Sequence, residues 1–177
     1  MLPRAVELKG GGAVTLRKGR VADAVGLLGF VNAVMAEERY FLSDGLHPPM
    51  SEEHQWIRTH DGGPRGLLIV VEDRGGRVVG NLSATRVKYS KGAHRASVGL
   101  GLLPPYRGHG VGRALLEEAR GWARRQRVRK LTLEVFASNT RAVALYRSFG
   151  FVEDGVNRRH HKIKGRYVDN IHMALWL

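Results

Sequence analysis

Three glycines alternate within a short loop that stands between a predicted strand and a predicted helix. They are Gly108, Gly110 and Gly112, in the stretch PPYRGHGVGRALLEEA at residues 104–119. Glycine costs stability in ordered structure, so this concentration predicts that a ligand approaches the backbone closely. The first N–H groups of a helix lack intrahelical acceptors and bind phosphate well, and Arg107 adds a charged donor beside them. The loop therefore predicts a site for a phosphorylated ligand.

The spacing of the loop excludes two familiar nucleotide-binding motifs. A Walker A motif ends in Gly-Lys-Ser/Thr, whereas Gly112 is followed by Arg113 and Ala114. A Rossmann fingerprint requires G-x-G-x-x-G, and the sixth position counted from Gly108 is Arg113. The alternative is a glycine-rich turn without a ligand. The flanking strand, the arginine and the helix start disfavour it. The loop thus indicates another class of phosphate site.

Apolar periodicity places this loop within a mixed sheet that has helices packed on it, an α+β fold. The predicted order is β-α-α-β-β-β-α-β-α-β-β, with hairpin turns at residues 74–76 and 164–165. The first helix is predicted from Ala22 to about Glu38, and Ser51 is predicted to cap the second. The other predicted elements are strands at 13–19, 66–73, 77–89, 95–103, 130–137, 151–159 and 166–177 and helices at 111–126 and 140–149.

The composition fits one globular domain that works in the cytoplasm. The 177 residues are 43% hydrophobic and include no cysteine, which excludes disulfides, thiolate zinc sites and a cysteine nucleophile. No leader peptide and no membrane-spanning apolar run is recognisable. The net charge of +13 suits an anionic ligand, and it leaves a basic nucleic-acid-binding module as a non-enzymatic alternative. The densest basic run, at residues 124–130, lacks the aromatic side chains that such a module uses.

Two motifs in the second half of the chain resemble those of the GNAT family of N-acetyltransferases. The segment Arg107–Gly112 resembles the Arg/Gln-x-x-Gly-x-Gly/Ala pyrophosphate loop of that family. Residues 139–151 match its N-x-x-A-x-x-L-Y-x-x-x-G-F segment, and the similarity covers residues 66–177 well. The resemblance implies a mixed, mostly antiparallel sheet whose two central strands splay apart, with acetyl-CoA in the gap. It divides the chain into an N-terminal extension at residues 1–12, which is expected to be mobile, and a single N-acetyltransferase domain at 13–177.

The resemblance also assigns the residues that would hold acetyl-CoA. Backbone groups of Leu102 and Leu103, at the end of the fourth predicted strand, are expected to bind the pantetheine arm, and an N–H near Leu102 to face the reacting carbonyl. Gly99 and Gly101 are expected at a bulge that opens the gap. Asn139 would bind the pantetheine arm, or only cap the helix that follows it. The pyrophosphate loop itself comprises Arg107, Gly108, His109, Gly110, Val111 and Gly112.

Acetyl transfer to an amine needs an acid, a base and stabilisation of the charge that develops on the carbonyl oxygen. By resemblance, Tyr146 is the general acid that neutralises the departing thiolate; a tyrosine that only packs its helix on the sheet is the alternative. Glu134 stands in a Leu-Glu-Val context similar to that of the ribosomal-protein alanine acetyltransferase branch, whose glutamate acts as base through water. Desolvation in an apolar strand would make this carboxylate more basic, as a general base requires. An ion pair with a residue of a neighbouring strand is the alternative.

Three further carboxylates are candidates for the acceptor pocket. Glu37 and Glu38 end the first predicted helix and are rival bases, and direct loss of the amine proton to water is another route. Asp169 would either reach the acceptor or hold the last hairpin. The histidines form no metal-binding motif, so no metal site is predicted.

These features together predict an acetyl-CoA-dependent N-acetyltransferase in which a primary amine attacks the donor directly. The acceptor is expected to be an amino acid or another small amine. Protein acetylation, at the N-terminus as in the ribosomal-protein type or at a side chain, and acetylation of a drug or antibiotic amine are the alternatives. A homodimer is common in the family, and neither a membrane nor a nucleic acid is expected as the main partner.

Overall fold

Eight strands among the described residues form one sheet: β1 (Arg4–Glu7), β2 (Ala13–Lys18), β3 (Gly66–Glu72), β4 (Val78–Arg86), β5 (Arg95–Leu102), β6 (Lys130–Phe136), β7 (Val152–Ile163) and β8 (Arg166–Trp176). Their spatial order in the computed structural model, which describes residues 2–37 and 48–177, is β1-β2-β3-β4-β5-β6-β8-β7. Paired strands run antiparallel except β5 and β6, which are parallel. The predicted mixed, mostly antiparallel sheet is confirmed.

Four helices lie in the described part of the chain: α1 (Ala24–Met35), α2 (Met50–Thr59), α3 (Val111–Arg125) and α4 (Thr140–Phe149). Both α2 and α3 contact β3, whose residues from Leu67 to Val71 are no more than 3% exposed. Because successive side chains of a strand point to opposite faces, this uniform burial means that helices cover both faces of the sheet. None of the described helices is both long and apolar enough to cross a membrane.

The starts of the first two helices differ from the prediction. Residues 21–23 form a 3₁₀ turn, because the Asp23 carboxylate accepts the backbone N–H of Arg20 at 2.7 Å and closes that turn. Helix α1 therefore begins two residues later than expected. Helix α2 begins at Met50, directly after Pro49, so the prediction that Ser51 caps it is wrong. Pro49 is the residue at the N-cap; it makes no side-chain cap, and its φ of −53° is compatible with the helix that follows.

Strand β1 was not predicted from the sequence. It pairs with β2 at the edge of the sheet, and Nη1 of Arg4 donates to Glu117 of α3 at 2.9 Å. Four residues of the predicted N-terminal extension therefore belong to the sheet. The strand escapes pattern analysis because it is only four residues long and is followed by Gly10, Gly11 and Gly12.

The two central strands separate after a short stretch of pairing. Strand β5 pairs with β6 only at Arg95–Ser97, opposite Lys130–Thr132. Beyond that point β5 continues along β4 without any register shift, and β6 continues along β8 to its end at Phe136. The predicted bulge at Gly99 and Gly101 is wrong, because the gap arises from the parting of β5 and β6 and not from an irregularity between β4 and β5. The predicted splay itself is present.

Candidate active site

A cavity of about 600 Å³ occupies the gap between the separated strands. Its walls are the end of β5, the glycine loop, the first turn of α3 and the N-terminal half of α4. Three arginines, Arg107, Arg113 and Arg141, line the cavity, and no carboxylate of the described residues does. The cavity is therefore suited to an elongated, anionic ligand.

Backbone N–H groups that have no acceptor in the described part of the chain run along the glycine loop, and Gly108, Gly110, Gly112 and Arg113 of this row line the cavity. The first helical hydrogen bond of α3 runs from the N–H of Ala114 to the carbonyl of Gly110 at 3.1 Å. Among the described residues, the N–H groups from Gly108 to Arg113 have no acceptor. Unpaired donors of this number are costly in a folded protein unless a ligand or water receives them. The positive end of the α3 dipole adds to the attraction for phosphate.

The three alternating glycines serve two different purposes. Gly108 and Gly110 have φ values of +83° and +85°, and a Cβ at either position would meet no atom within 4 Å. Both residues thus adopt a backbone conformation that favours glycine, and the space beside them is open to a ligand. A Cβ at Gly112 would lie 2.9 Å from Cδ2 of Leu145, so this glycine lets α3 pack closely against α4. The same loop holds His109, whose buried Nδ1 has no partner among the described residues.

Arg107 has a different position from the one predicted. Its guanidinium pairs with the Glu37 carboxylate through both terminal nitrogens, and its Nε donates to the Leu102 carbonyl at 2.8 Å. The predicted phosphate donor and one predicted base thus hold each other, and both side chains are only 20% exposed. This contact fastens the end of α1 to the end of β5. Arg113 and Arg141 also line the cavity and are exposed, and the Arg113 guanidinium lies 3.7 Å from the Glu117 carboxylate.

The backbone N–H groups at the end of β5 point alternately to β4 and to the gap. The N–H of Leu103 donates to the Val79 carbonyl at 2.9 Å, and its own carbonyl accepts from Tyr106 at 3.0 Å. Successive residues of a strand turn their N–H groups to opposite sides. The N–H of Leu102 therefore points away from β4, into the space that β6 has left. Of the two predicted pantetheine contacts, Leu102 has a free donor there and Leu103 does not.

Tyr146 and Asn139 form the α4 side of the cavity. Tyr146 is 6% exposed, packs its ring edge-on against Phe151, and makes no hydrogen bond to a described residue through its hydroxyl. Burial raises the pKa of Tyr146 to about 12, so the phenol is protonated at neutral pH. The Oδ1 atom of Asn139 accepts the N–H of Ala142 at 3.2 Å, which confirms the capping role. Its amide nitrogen lacks a partner among the described residues and is available to a ligand.

Glu134 is exposed, which overturns the reasoning that made it a base. Its side chain is 63% exposed, so the expected desolvation is absent. The carboxylate instead accepts a hydrogen bond from Nδ2 of Asn170 at 2.8 Å and lies 3.7 Å from Nδ1 of His172. The neighbouring strand β8 thus holds the carboxylate, through a neutral amide and a histidine in place of the simple ion pair that was the predicted alternative. This arrangement leaves Glu134 accessible and oriented, which are properties that a base reached by water also needs.

Asn170 and His172 were not identified from the sequence. Asn170 is 1% exposed, and His60 is the other buried polar side chain in the described part of the chain. Asn170 and His172 lie on β8, opposite Phe136 and Glu134 of β6 respectively. The signal that could have found them is the period of two along β8, which puts two polar residues on the face that carries Glu134.

Asp169, another predicted acceptor-pocket carboxylate, is held within the last hairpin. Oδ1 of Asp169 accepts the backbone N–H of Arg159 at 2.7 Å, and Oδ2 lies 3.4 Å from Arg158. Asp169 thus holds the last hairpin, as its second predicted role states. Glu38 lies outside the described residues. No group of three described histidine, aspartate or glutamate side chains is arranged to hold a metal ion.

The fold and the site define an acetyltransferase. The family model described as the acetyltransferase (GNAT) family matches residues 31–151, so the chain belongs to that family. It is accordingly an N-acetyltransferase, and its donor is acetyl-CoA. The free N–H row, the gap beside the Leu102 donor and the protonated phenol all fit that donor.

Relatives and solved structures support this assignment over most of the chain. N-alpha-acetyltransferase RimI of Mycobacterium tuberculosis is 32% identical over 129 residues, which are 73% of this chain and 76% of the relative. L-amino acid N-acetyltransferase AaaT of Escherichia coli is 29% identical over 133 residues, 73% of this chain and 80% of the relative. The crystal structure of a GNAT acetyltransferase from Streptococcus pneumoniae superposes with a TM-score of 0.86 at 26% identity, covering 93% of this chain and 99% of that one.

Proposed function

We propose that the enzyme transfers the acetyl group of acetyl-CoA to the primary amine of an amino acid or another small amine, by direct attack. The observation that carries this proposal is the row of free N–H groups from Gly108 to Arg113 beside a 600 Å³ gap walled by Tyr146. The similarity to a relative named as an L-amino acid N-acetyltransferase supports the acceptor class.

In this proposal the chain holds the donor mainly through its backbone. The N–H groups from Gly108 to Arg113 receive the pyrophosphate, with Arg113 and Arg141 adding charge at the rim. The Leu102 N–H and the amide nitrogen of Asn139 contact the pantetheine arm. When bound, acetyl-CoA supplies a thioester whose carbonyl carbon accepts the amine and whose thiolate departs. Glu37 contributes by holding Arg107, and thereby Leu102, in place.

Two groups of the chain serve the chemical step from opposite sides. The Leu102 N–H stabilises the charge on the carbonyl oxygen, as a fixed backbone donor does well. The Tyr146 hydroxyl gives its proton to the thiolate, and its raised pKa of about 12 keeps that proton available across the working pH range. A general acid of this kind contributes about 10²–10⁴-fold to the rate.

Glu134 removes the proton of the incoming amine, through a water molecule. It lies on β6, the strand that forms the far side of the gap, and its exposure gives solvent access. Asn170 fixes one carboxylate oxygen at 2.8 Å and leaves the other to water and to His172. The role of Asn170 is thus to position the base.

Acetylation of a protein N-terminus is a second candidate. The Leu-Glu-Val context of Glu134 and the similarity to a relative named as an N-alpha-acetyltransferase favour it. The two candidates share the donor site, the acid and the base, and they differ only in the size of the acceptor.

The test is thiol release from acetyl-CoA with separate pools of amino acids, peptides, polyamines and aminoglycosides, against a control without acceptor. Tyr146→Phe should lower turnover at least about 100-fold while the Kd for acetyl-CoA changes less than about twofold. Tyr89→Phe is the matched control, since Tyr89 is 77% exposed and does not line the cavity. Unchanged turnover in Tyr146→Phe would remove the phenol from the acid role, and no release with any pool would overturn the proposal.

We also infer a cytoplasmic location, because the donor is a cytoplasmic metabolite; cell fractionation tests it. Assembly into a homodimer stays a prediction, which light scattering on the purified protein measures.

A further inference from the structure

The last hairpin projects beyond the end of the strand that carries Glu134. Strand β6 stops at Phe136, which is opposite Asn170 of β8. The hairpin continues past this point through the pairs from His161 and Val168 to Ile163 and Arg166. This is the end of the sheet at which β5 and β6 have separated, so the projecting part of the hairpin stands beside the opening of the gap.

The projecting part of the hairpin is strongly cationic. Residues 157–168 read NRRHHKIKGRYV and contain no acidic residue. The side chain of Arg158 is 83% exposed, and Lys162 and Arg166 are also exposed. Asp169 binds the Arg159 backbone and touches Arg158, and the Glu134 carboxylate acts on His161. We call residues 158–166 the basic hairpin; its permanent cations are Arg158, Arg159, Lys162, Lys164 and Arg166.

The basic hairpin lies close to the proposed base. The ring of His161 contacts that of Phe136 at a centroid distance of 5.0 Å and a tilt of 50°. Phe136 is two residues from Glu134 and on the same face of β6. Burial lowers the pKa of His161, its neighbour His160 lowers it further, and the Glu134 carboxylate opposes both. An amine held at Glu134 therefore has the basic hairpin alongside it.

We propose that the acceptor carries a carboxylate near its amine, and that the basic hairpin selects it by binding that carboxylate while repelling cationic amines. The inference rests on the proposed function, because it takes the Glu134 side of the gap as the acceptor entrance. A free amino acid and a peptide with an acidic N-terminal segment both present this chemistry. Polyamines and aminoglycosides carry further positive charge and are disfavoured.

The experiment compares acceptors that differ mainly in charge. Thiol release with the full chain gives kcat/KM for an amino acid and its α-amide, for Ala-Glu-Glu and Ala-Lys-Lys peptides, and for spermidine. We expect the acid to exceed its amide, and the acidic peptide the basic one, by about 10-fold or more at low salt. Both ratios should shrink as salt rises from about 50 mM to 500 mM, because salt screens exposed charges. The relative rates of the amino acid and the acidic peptide then identify which of the two sources the enzyme uses.

A pair of charge variants assigns the preference to the basic hairpin. Arg158→Gln combined with Lys162→Gln should raise KM for the acid about 3–10-fold and leave the amide unchanged. Arg124→Gln combined with Arg125→Gln removes the same charge at the far end of α3, about 20 Å from the glycine loop, and should change neither. Thermal melting checks that both variants fold.

The outcomes separate the two proposals. Thiol release that is equal for acid and amide, or faster with spermidine, overturns the inference and leaves the acetyltransferase proposal intact. An equal effect of the two double variants also overturns it, since the preference would then follow net charge alone. Absence of release with every amine overturns the proposed function, and the inference with it.

Discussion

The contact between Glu37 and Arg107 offers the sharpest test of how this site is built. The carboxylate faces both terminal nitrogens of the guanidinium, and each side chain is 20% exposed. Glu37→Ala would leave a largely buried cation without its partner. Hydrogen bonds to charged groups contribute about 1.5–3 kcal/mol each, and breaking a fully buried pair costs about 3–5 kcal/mol. Allowing for the remaining exposure, we expect the free energy of unfolding to fall by about 2 kcal/mol.

That loss should be visible in two measurements. For a chain of 177 residues, 1 kcal/mol corresponds to about 2–4 °C, so the melting temperature should fall by about 4–8 °C. Because Arg107 also holds the Leu102 carbonyl, the Kd for acetyl-CoA should rise several-fold. Glu153→Ala is the matched control, since the Arg147–Glu153 pair has side chains 58% and 42% exposed and its loss should cost less than about 1 kcal/mol.

A double-mutant cycle of Glu37 and Arg107 gives the coupling directly. A coupling below about 0.5 kcal/mol, no larger than that of the surface pair, would refute the structural role argued for this contact. A different result would restore Glu37 as a base: turnover reduced about 100-fold or more, with stability and acetyl-CoA affinity unchanged. The two roles thus predict opposite patterns in the same variant.

Three further predictions concern the loop, the acid and the base. Gly110→Ala should lower the free energy of unfolding by about 1–2 kcal/mol, because φ is +85° there, and should weaken acetyl-CoA binding in calorimetry. The control Gly155→Ala, at a position without positive φ, should do neither. Normal acetyl-CoA binding by Gly110→Ala would show that the loop does not hold the donor. Burial raises the pKa of Tyr146 to about 12, so the phenol loses its proton only near that pH. The kcat should therefore rise with pH and not fall again below about pH 10. A descending limb near pH 8 would contradict the role of Tyr146 as the general acid. Asn170→Leu should lower kcat about 10-fold or more while the acetyl-CoA Kd stays constant, because the Glu134 carboxylate loses the donor that orients it. An unchanged kcat would show that Asn170 does not position the base.

The elements that local chemistry delimits were predictable from the sequence. Helix α4 has the predicted bounds because Asn139 caps its start through the Ala142 N–H and Gly150, at φ +107°, ends it. The glycine loop was likewise recognisable, since its function depends on residues adjacent in sequence. The hairpin turn around Gly165 follows the same rule.

The parts that depend on distant residues were not predictable. Arg107 finds Glu37, a partner 70 positions away, and no pattern within the loop indicates that the guanidinium turns from the phosphate to the end of α1. The exposure of Glu134 depends on which face of the folded sheet is covered, which its Leu-Glu-Val context does not reveal. Asn170 is part of the site only because β8 pairs with β6, which is a property of the sheet order.

One structural event accounts for most of the site. Where β6 leaves β5, the Leu102 N–H loses the partner that a continuous sheet would provide, and the free N–H row of α3 opens onto the same space. Unpaired backbone donors are costly, so a sheet that parts in this way keeps its stability only if something else receives them. A linear ligand with a phosphate at one end and an amide along its arm meets both sets of donors at once. The separated strands and the alternating glycines are therefore two halves of one binding surface, and the basic hairpin at the same edge determines which amine can approach it.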